Sequence, residues 1–254
     1  MVSEPVVVSE PVVLPPGGIA IVPAYEEAES IVETLRQLRT HVPGVEVVVV
    51  DDGSTDRTGE LARAEGATVL TMPFNVGIGG ALRAGFRYAH QRGARWAVQV
   101  DADGQHDSGQ IARIVGPIAD GADLVVGSRF AGEGTYEAGR VRRRAMGLLT
   151  ITLRALSGRS FTDTSSGFRA FSPRALEYFA RHYPAEYMES VEALLMACYA
   201  GLRVVEVPVT MRARSGGTAS TRRLRLVYHY LRIYAVLFSS ASRSRRPGFG
   251  KADT

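Results

Sequence analysis

Short apolar runs that end in acidic or glycine-rich punctuation alternate, through the first half of the chain, with stretches of helical period. Residues 19–22 form an apolar run that leads into Pro23-Ala24-Tyr25-Glu26-Glu27, after which Ile31, Leu35 and Leu38 recur on one helical face. Residues 45–50 are continuously apolar, as expected of a strand buried on both faces in a parallel sheet. That run stops at Asp51-Asp52-Gly53-Ser54-Thr55-Asp56, and a helix is expected from about residue 58 to 65. The cycle repeats with a strand at 68–72, a helix at 79–91 carrying Leu82 and Phe86 inward, a strand at 96–100, a helix at 108–118 and a strand at 123–126. This alternation predicts an α/β fold: a Rossmann-like, mostly parallel central sheet, doubly wound, with helices on both faces and right-handed crossovers.

The second half is less regular. Residues 140–156 open on Arg142, Arg143 and Arg144 and continue as a mostly apolar stretch. Thr162-Asp163-Thr164-Ser165-Ser166-Gly167-Phe168-Arg169 reads as a turn-rich loop before a short strand and a helix starting near Pro173. A helix is expected at 189–200, and a strand at 204–211 that Pro208 confines to a sheet edge. Residues 222–238 place Leu224, Val227, Leu231, Tyr234 and Phe238 along one side of a helix flanked by arginines. The duplicated Ser-Glu-Pro-Val-Val at residues 3 and 9, and the prolines after it, suggest an extended lead-in over 1–17. The expected division is a lead-in at 1–17, one folded domain at 18–220, and a basic amphipathic helix with a disordered tail at 221–254.

Composition narrows the chemistry. Charged residues make up 22% of the 254, and the net charge is +4, ordinary values for a globular protein. Lys251 is the sole lysine, so almost all positive charge is carried by arginine, whose planar fork suits phosphates. One cysteine, Cys198, excludes disulfides and thiolate metal sites and is expected to be a buried structural thiol. No basic-then-apolar signal sequence and no apolar run of about 18–20 residues is present, so a cytoplasmic location is expected, with contact to the inner membrane face left open.

Three strands end in polar punctuation, and in a parallel sheet those ends share one edge, where open α/β sheets hold ligands. Asp101-Ala102-Asp103 sits at the end of the strand at 96–100. Mg²⁺ uses one or two carboxylates plus substrate phosphates, so this pair suits a metal already carrying a diphosphate. Taken alone, Asp-x-Asp is more often a polar loop capping the next helix. No Gly-x-Gly-x-x-Gly loop and no Gly-Lys-Ser/Thr phosphate loop occurs. A bound diphosphate would need cations beside the carboxylates, and Arg129 and Arg214 are candidates.

Six segments change the weight of that alternative: residues 22–27, 50–56, Asn75-Val76-Gly77-Ile78-Gly79-Gly80, 99–106, Gly127-Ser128-Arg129-Phe130 and 163–169. In this order and spacing the chain resembles family 2 glycosyltransferases of the GT-A fold, nearest to dolichol- and polyprenyl-phosphate sugar synthases, over about residues 18–220. The resemblance implies a nucleotide-sugar donor with Pro23, Ala24, Tyr25 and Glu27 lining the nucleoside pocket and Asp52 bonding base or ribose. It implies Mg²⁺ or Mn²⁺ on Asp101 and Asp103, with Ala102 between them at the donor and Gln105 completing the metal site. Arg129 would face the phosphates or the acceptor, Asp163 the acceptor side, and Glu192 would be an active-site helix glutamate. Arg214 and Ser220 fall in a segment similar to the family's flap over the donor. Two departures stand out: Glu26 occupies a position where relatives usually carry Asn, and Gly216-Gly217-Thr218-Ala219-Ser220 lacks the lysine common near the flap's end.

The resemblance also implies inversion by a single displacement. A hydroxyl acceptor would need a base, for which Asp163 and Glu192 are the candidates; an anionic lipid phosphate would need none. The acceptor expected is a polyprenyl phosphate or a lipid-linked glycan. A soluble acceptor, or a silent nucleotide-sugar-binding protein, are the alternatives. The basic, apolar-faced segments suit a membrane surface, core packing or an oligomer interface. Nucleic-acid binding is not expected, since no recognition motif accompanies the charge.

Overall fold

The computed structural model of the chain describes residues 14–131, 150–184 and 189–211. The expectations for Arg142 to Arg144, Arg214, Ser220, the helix at 222–238 and most of the lead-in lie outside the described residues.

In chain order the strands are β1 (Gly18–Ala24), β2 (Glu46–Asp51), β3 (Thr68–Thr71), β4 (Trp96–Gln99), β5 (Leu124–Ser128), β6 (Arg169–Phe171) and β7 (Val204–Pro208). The helices are α1 (Ile31–His41), α2 (Thr58–Ala64), α3 (Ile78–Gln91), α4 (Ile111–Ala119), α5 (Pro173–His182) and α6 (Glu189–Tyr199), and residues 150–157 are also helical. The sheet order is β3-β2-β1-β4-β6-β5-β7. Every pairing is parallel except those of β6, which runs antiparallel between β4 and β5. Winding proceeds outward from β1 through β2 and β3, then resumes at β4 on the other side of β1. The switch point of the sheet is therefore the crevice between β1 and β4, at their carboxyl ends.

β1 is buried along its whole length because it lies mid-sheet with helices on both faces. Gly18 is required there, since a Cβ would fall on the Trp96 ring. Trp96 in turn donates its indole N–H to the Pro15 carbonyl at 2.8 Å, which fastens the chain before β1. On one face α3 lies close enough that a Cβ on Gly85 would stand 2.5 Å from Ile21. Phe86, Phe171, Phe179 and Tyr183 pack there as an aromatic cluster, with Phe86 and Phe171 centroids 4.6 Å apart. Ile31, Leu35, Leu38, Ile114 and Phe168 fill the opposite face.

Two local expectations change. The strand expected at 204–211 ends at Pro208, at the sheet edge, and beyond it Met211 forms an isolated bridge with His106. Cys198 is half-buried rather than fully enclosed, and burial pushes its thiol pKa up. The short strand expected before Pro173 is β6; its antiparallel direction, set by its pairing with β4 and β5, is not readable from three residues.

Candidate active site

The exits of β1 and β2 are clasped to each other by side chains. Glu26 adopts φ 56°, the only positive value outside glycine among the described residues. Its backbone N–H donates to Ser54 Oγ, and its carboxylate accepts from the Thr55 N–H and hydroxyl at 2.8 and 2.9 Å. Asparagine enters this left-handed region more readily than glutamate, a physical reason for the Asn that the resemblance leads one to expect here. The Glu27 and Ala28 amides donate to Thr58 Oγ1 and Asp56 Oδ2. Asp56 also accepts from the Thr58 N–H, so it fixes the start of α2 as well as the loop.

Asp52 is buried, and both its oxygens are engaged, by the Val76 N–H at 2.8 Å and the Gly77 N–H at 2.9 Å. Burial raises its carboxyl pKa, the two amides offset part of the rise, and neighbouring Asp51 adds to it. Asp52 therefore holds the 75–77 loop over the β2 exit in addition to any contact with a nucleoside. Gly53 makes that approach possible: at φ 73°, a Cβ would stand 2.6 Å from the Phe74 carbonyl carbon. Pro23 and Ala24 are buried within β1, whereas Tyr25 is 47% exposed at its mouth. Of the residues expected at the nucleoside pocket, the aromatic ring is the one presented to solvent.

The β4 exit carries the carboxylate pair. Asp101 is partly exposed, and Asp103 is half-buried with one oxygen accepting the Gln105 N–H at 3.1 Å. Ala102, between them, is buried, and its carbonyl accepts from the Thr34 hydroxyl on α1 at 3.0 Å. His106 is buried and stacks on Phe168. Its Nδ1 accepts the Asp101 backbone N–H at 2.9 Å, which leaves Nε2 to carry the proton, 3.4 Å from Asp101 Oδ2. Gln99 Nε2 lies 3.4 Å from the other Asp101 oxygen. Asp101 is thus oriented by two neighbours while its outer side stays open.

Because β6 is antiparallel, its entry loop arrives at the same edge as the exits of β4, β5 and β7. Gly167 of that loop abuts the Asp101 carboxylate: a Cβ would stand 2.9 and 3.1 Å from its oxygens. Gly167→Ala is therefore expected to force Asp101 aside and weaken Mn²⁺-dependent binding of a nucleoside diphosphate by roughly 10-fold, about 1.4 kcal/mol. Calorimetric titration of the variant checks this, with unchanged affinity as the contrary result.

Asp163 is fully buried and receives Arg129 Nε at 2.7 Å, Arg129 Nη2 at 2.9 Å, and the N–H groups of Arg129 and Ser165. Burial alone would raise this carboxyl, but the Arg129 guanidinium and the two amides hold it below the usual carboxylate range. A buried carboxylate so engaged is a poor proton acceptor, and its geometry is that of a group that orients Arg129. Arg129 Nη2 also donates to Ser165 Oγ. Arg169, itself buried, bonds the Ser166 and Ser190 carbonyls and so fastens this loop to α6, which carries the half-buried Glu192.

The fold thus brings Asp52, Asp101, Asp103, Gln105, Arg129 and Asp163 to one edge of the sheet. Among the described residues no three His, Cys, Asp or Glu side chains gather to cage a metal. Two partly open carboxylates fit an ion whose remaining ligands are diphosphate oxygens and water. Reading the sequence alone passed over Thr34, Gln99 and Glu206. Thr34 carries no motif, Gln99 lies inside the 99–106 segment but was given no role there, and Glu206 stands inside an expected strand with nothing local to mark it.

Residues 19–179 match the model of glycosyl transferase family 2. The chain is 35% identical over 208 residues to an undecaprenyl-phosphate mannosyltransferase of Micrococcus luteus, covering 78% of this chain and 85% of that protein. It is 33% identical over 210 residues to a polyprenol monophosphomannose synthase of Mycolicibacterium smegmatis, covering 79% of each. In three dimensions it resembles glucosyl-3-phosphoglycerate synthase from Mycobacterium tuberculosis, solved with Mn²⁺ and UDP, at a TM-score of 0.67 and 24% identity over 89% of this chain and 80% of that one. That likeness establishes the fold.

Proposed function

We propose that this chain, a nucleotide-sugar-dependent glycosyltransferase that belongs to glycosyl transferase family 2, transfers its sugar to a polyprenyl phosphate. The observation that carries the acceptor is the similarity, along most of both chains, to relatives named undecaprenyl-phosphate mannosyltransferase and polyprenol monophosphomannose synthase. The engagement of Asp163 supports the same reading. An anionic phosphate acceptor needs no general base, and the carboxylate nearest Arg129 is not placed to act as one.

In this mechanism Asp101 and Asp103 hold Mg²⁺ or Mn²⁺, and Gln105 lies beside them. The bound ion supplies Lewis-acid stabilisation of the charge that develops on the departing nucleoside diphosphate. Asp52 and the 75–77 loop shape the nucleoside side, with Tyr25 and Glu27 at its mouth and the main chain of Pro23 and Ala24 as its floor. Asp163 presents Arg129 toward the phosphates of donor or acceptor, where a guanidinium offers paired donors. Attack from the face opposite the leaving group inverts the anomeric centre. Glu192 serves on the acceptor side, and Arg214 and Ser220 are assigned to the donor. No helix among the described residues is long and apolar enough to cross a membrane. The lipid would then be met at the inner membrane face, through the basic, apolar-faced segments near residues 140–153 and 222–238. The catalytic domain spans 18–220.

Nucleoside diphosphate release from a panel of UDP-, GDP- and dTDP-sugars, with Mn²⁺ or Mg²⁺ and with or without polyprenyl phosphate, tests the reading. Metal-dependent release from one donor, raised at least about 10-fold by the lipid, is expected, a difference of about 1.4 kcal/mol in the barrier. Release that ignores the lipid would overturn the acceptor and point to a soluble one. Donor binding without release to any acceptor would leave a silent binding protein.

A further inference from the structure

Glu206 lies on β7, paired across the sheet with Val126 of β5, and its carboxylate organises the loop that enters β6. Oε1 accepts from the Thr162 N–H at 3.0 Å, the Thr162 hydroxyl at 3.0 Å and the Asp163 N–H at 2.9 Å, while Oε2 accepts the Thr162 N–H at 2.8 Å. The single Thr162 hydroxyl proton is spent on Glu206, so Ser128 must donate to Thr162 Oγ1, 2.7 Å away. Ser128 Oγ then accepts from the Phe130 and Ala131 amides, setting the turn that holds Arg129. Two routes therefore run from Glu206 to Arg129, one through Asp163 and one through Thr162 and Ser128. β7 is also tied to the metal loop. Thr210 donates its N–H to Gln110 Oε1 at 3.0 Å, Gln110 Nε2 returns a bond to the Thr210 carbonyl, and Met211 bridges to His106.

We infer that Glu206 is a positioning residue that fixes the Asp163–Arg129 pair relative to the metal loop, with β7 as the rigid member between them. A charged acceptor bonded to several N–H and O–H donors is stronger than a neutral one, which suits a group that sets geometry for others. The inference deepens the reading of Arg129 as a phosphate-facing group, and its test does not depend on turnover.

Amide-resolved hydrogen–deuterium exchange on Glu206→Ala and Glu206→Gln reads the relay directly. The Arg129 and Ser165 amides bond Asp163, not Glu206, and so report transmission through the pair. In Glu206→Ala both are expected to exchange at least about 10-fold faster, with the Asp52-held Val76 and Gly77 amides within about 2-fold of wild type. Glu206→Gln keeps one oxygen but sets an NH₂ against donors, so it should fall between. In transfer assays the KM of the substrate whose phosphate Arg129 faces, donor or acceptor, should rise about 10-fold in the alanine variant while the other stays within about 2-fold. Unchanged exchange at Arg129 and Ser165, or acceleration shared equally by Val76 and Gly77, would overturn the inference. A wild-type protein that transfers no sugar would sink the functional reading alone, and the exchange pattern would still decide the role of Glu206.

Discussion

Asp101→Asn is expected to reduce metal-dependent sugar transfer by roughly 10³-fold, about 4 kcal/mol of lost transition-state stabilisation, while the protein stays folded. The substitution keeps the shape that packs against Gly167 and lies beside Gln99 and His106. It removes the charge that would hold the ion on the diphosphate. Stability should change little, because Asp101 is partly exposed and asparagine can keep an amide oxygen toward the His106 Nε2–H. A melting temperature within about 3 °C of wild type, together with the loss of turnover, separates catalysis from folding. Retention of more than a tenth of wild-type activity would refute the assignment of this carboxylate to the metal.

Arg129→Ala should act through stability as well as activity. Truncation leaves Asp163, fully buried, without its guanidinium partner, and removing one member of such a pair costs about 3–5 kcal/mol. Urea denaturation reads that loss. Its pH dependence carries a sign that identifies the cause. In the wild type the Asp163 carboxyl is held below its ordinary value, despite burial, by Arg129 and the two amides. A depressed folded-state pKa gives stability that is complete above the unfolded value, about 3.9, and is lost as pH falls through the lower folded value. With Arg129 gone, burial dominates and lifts the carboxyl above its unfolded value. The variant should therefore gain stability relative to wild type as pH falls from 7 toward 4. An equal deficit at both ends of that range would mean the pair contributes through packing rather than charge.

The α/β class was legible from periodicity because apolar strands and amphipathic helices repeat every few tens of residues over 18–128. That Asp52, Asp101 and Asp103 stand at one edge of the sheet was legible because each lies within a few residues of an apolar strand's end, and strand ends in such sheets face one edge. Asp163 could be named as a site residue, but its role could not be read. A carboxylate offered as a possible base became the buried partner of Arg129, 34 residues away in sequence, a contact that depends on β6 running antiparallel. Glu206 was hidden for the same reason. Its partners, Thr162 and Asp163, lie more than 40 residues earlier, and alternation along a strand says nothing about which loop a side chain meets.

By itself, then, the sequence determined the layered fold, the sheet edge that offers a candidate site and the carboxylates that stand there, because these follow from short-range periodicity and from where strands stop. The tertiary structure alone decided which carboxylate remains open to a metal and which is sealed against an arginine. That distinction rests on burial and on hydrogen bonds between segments far apart in the chain, and neither quantity exists until the sheet has closed around them.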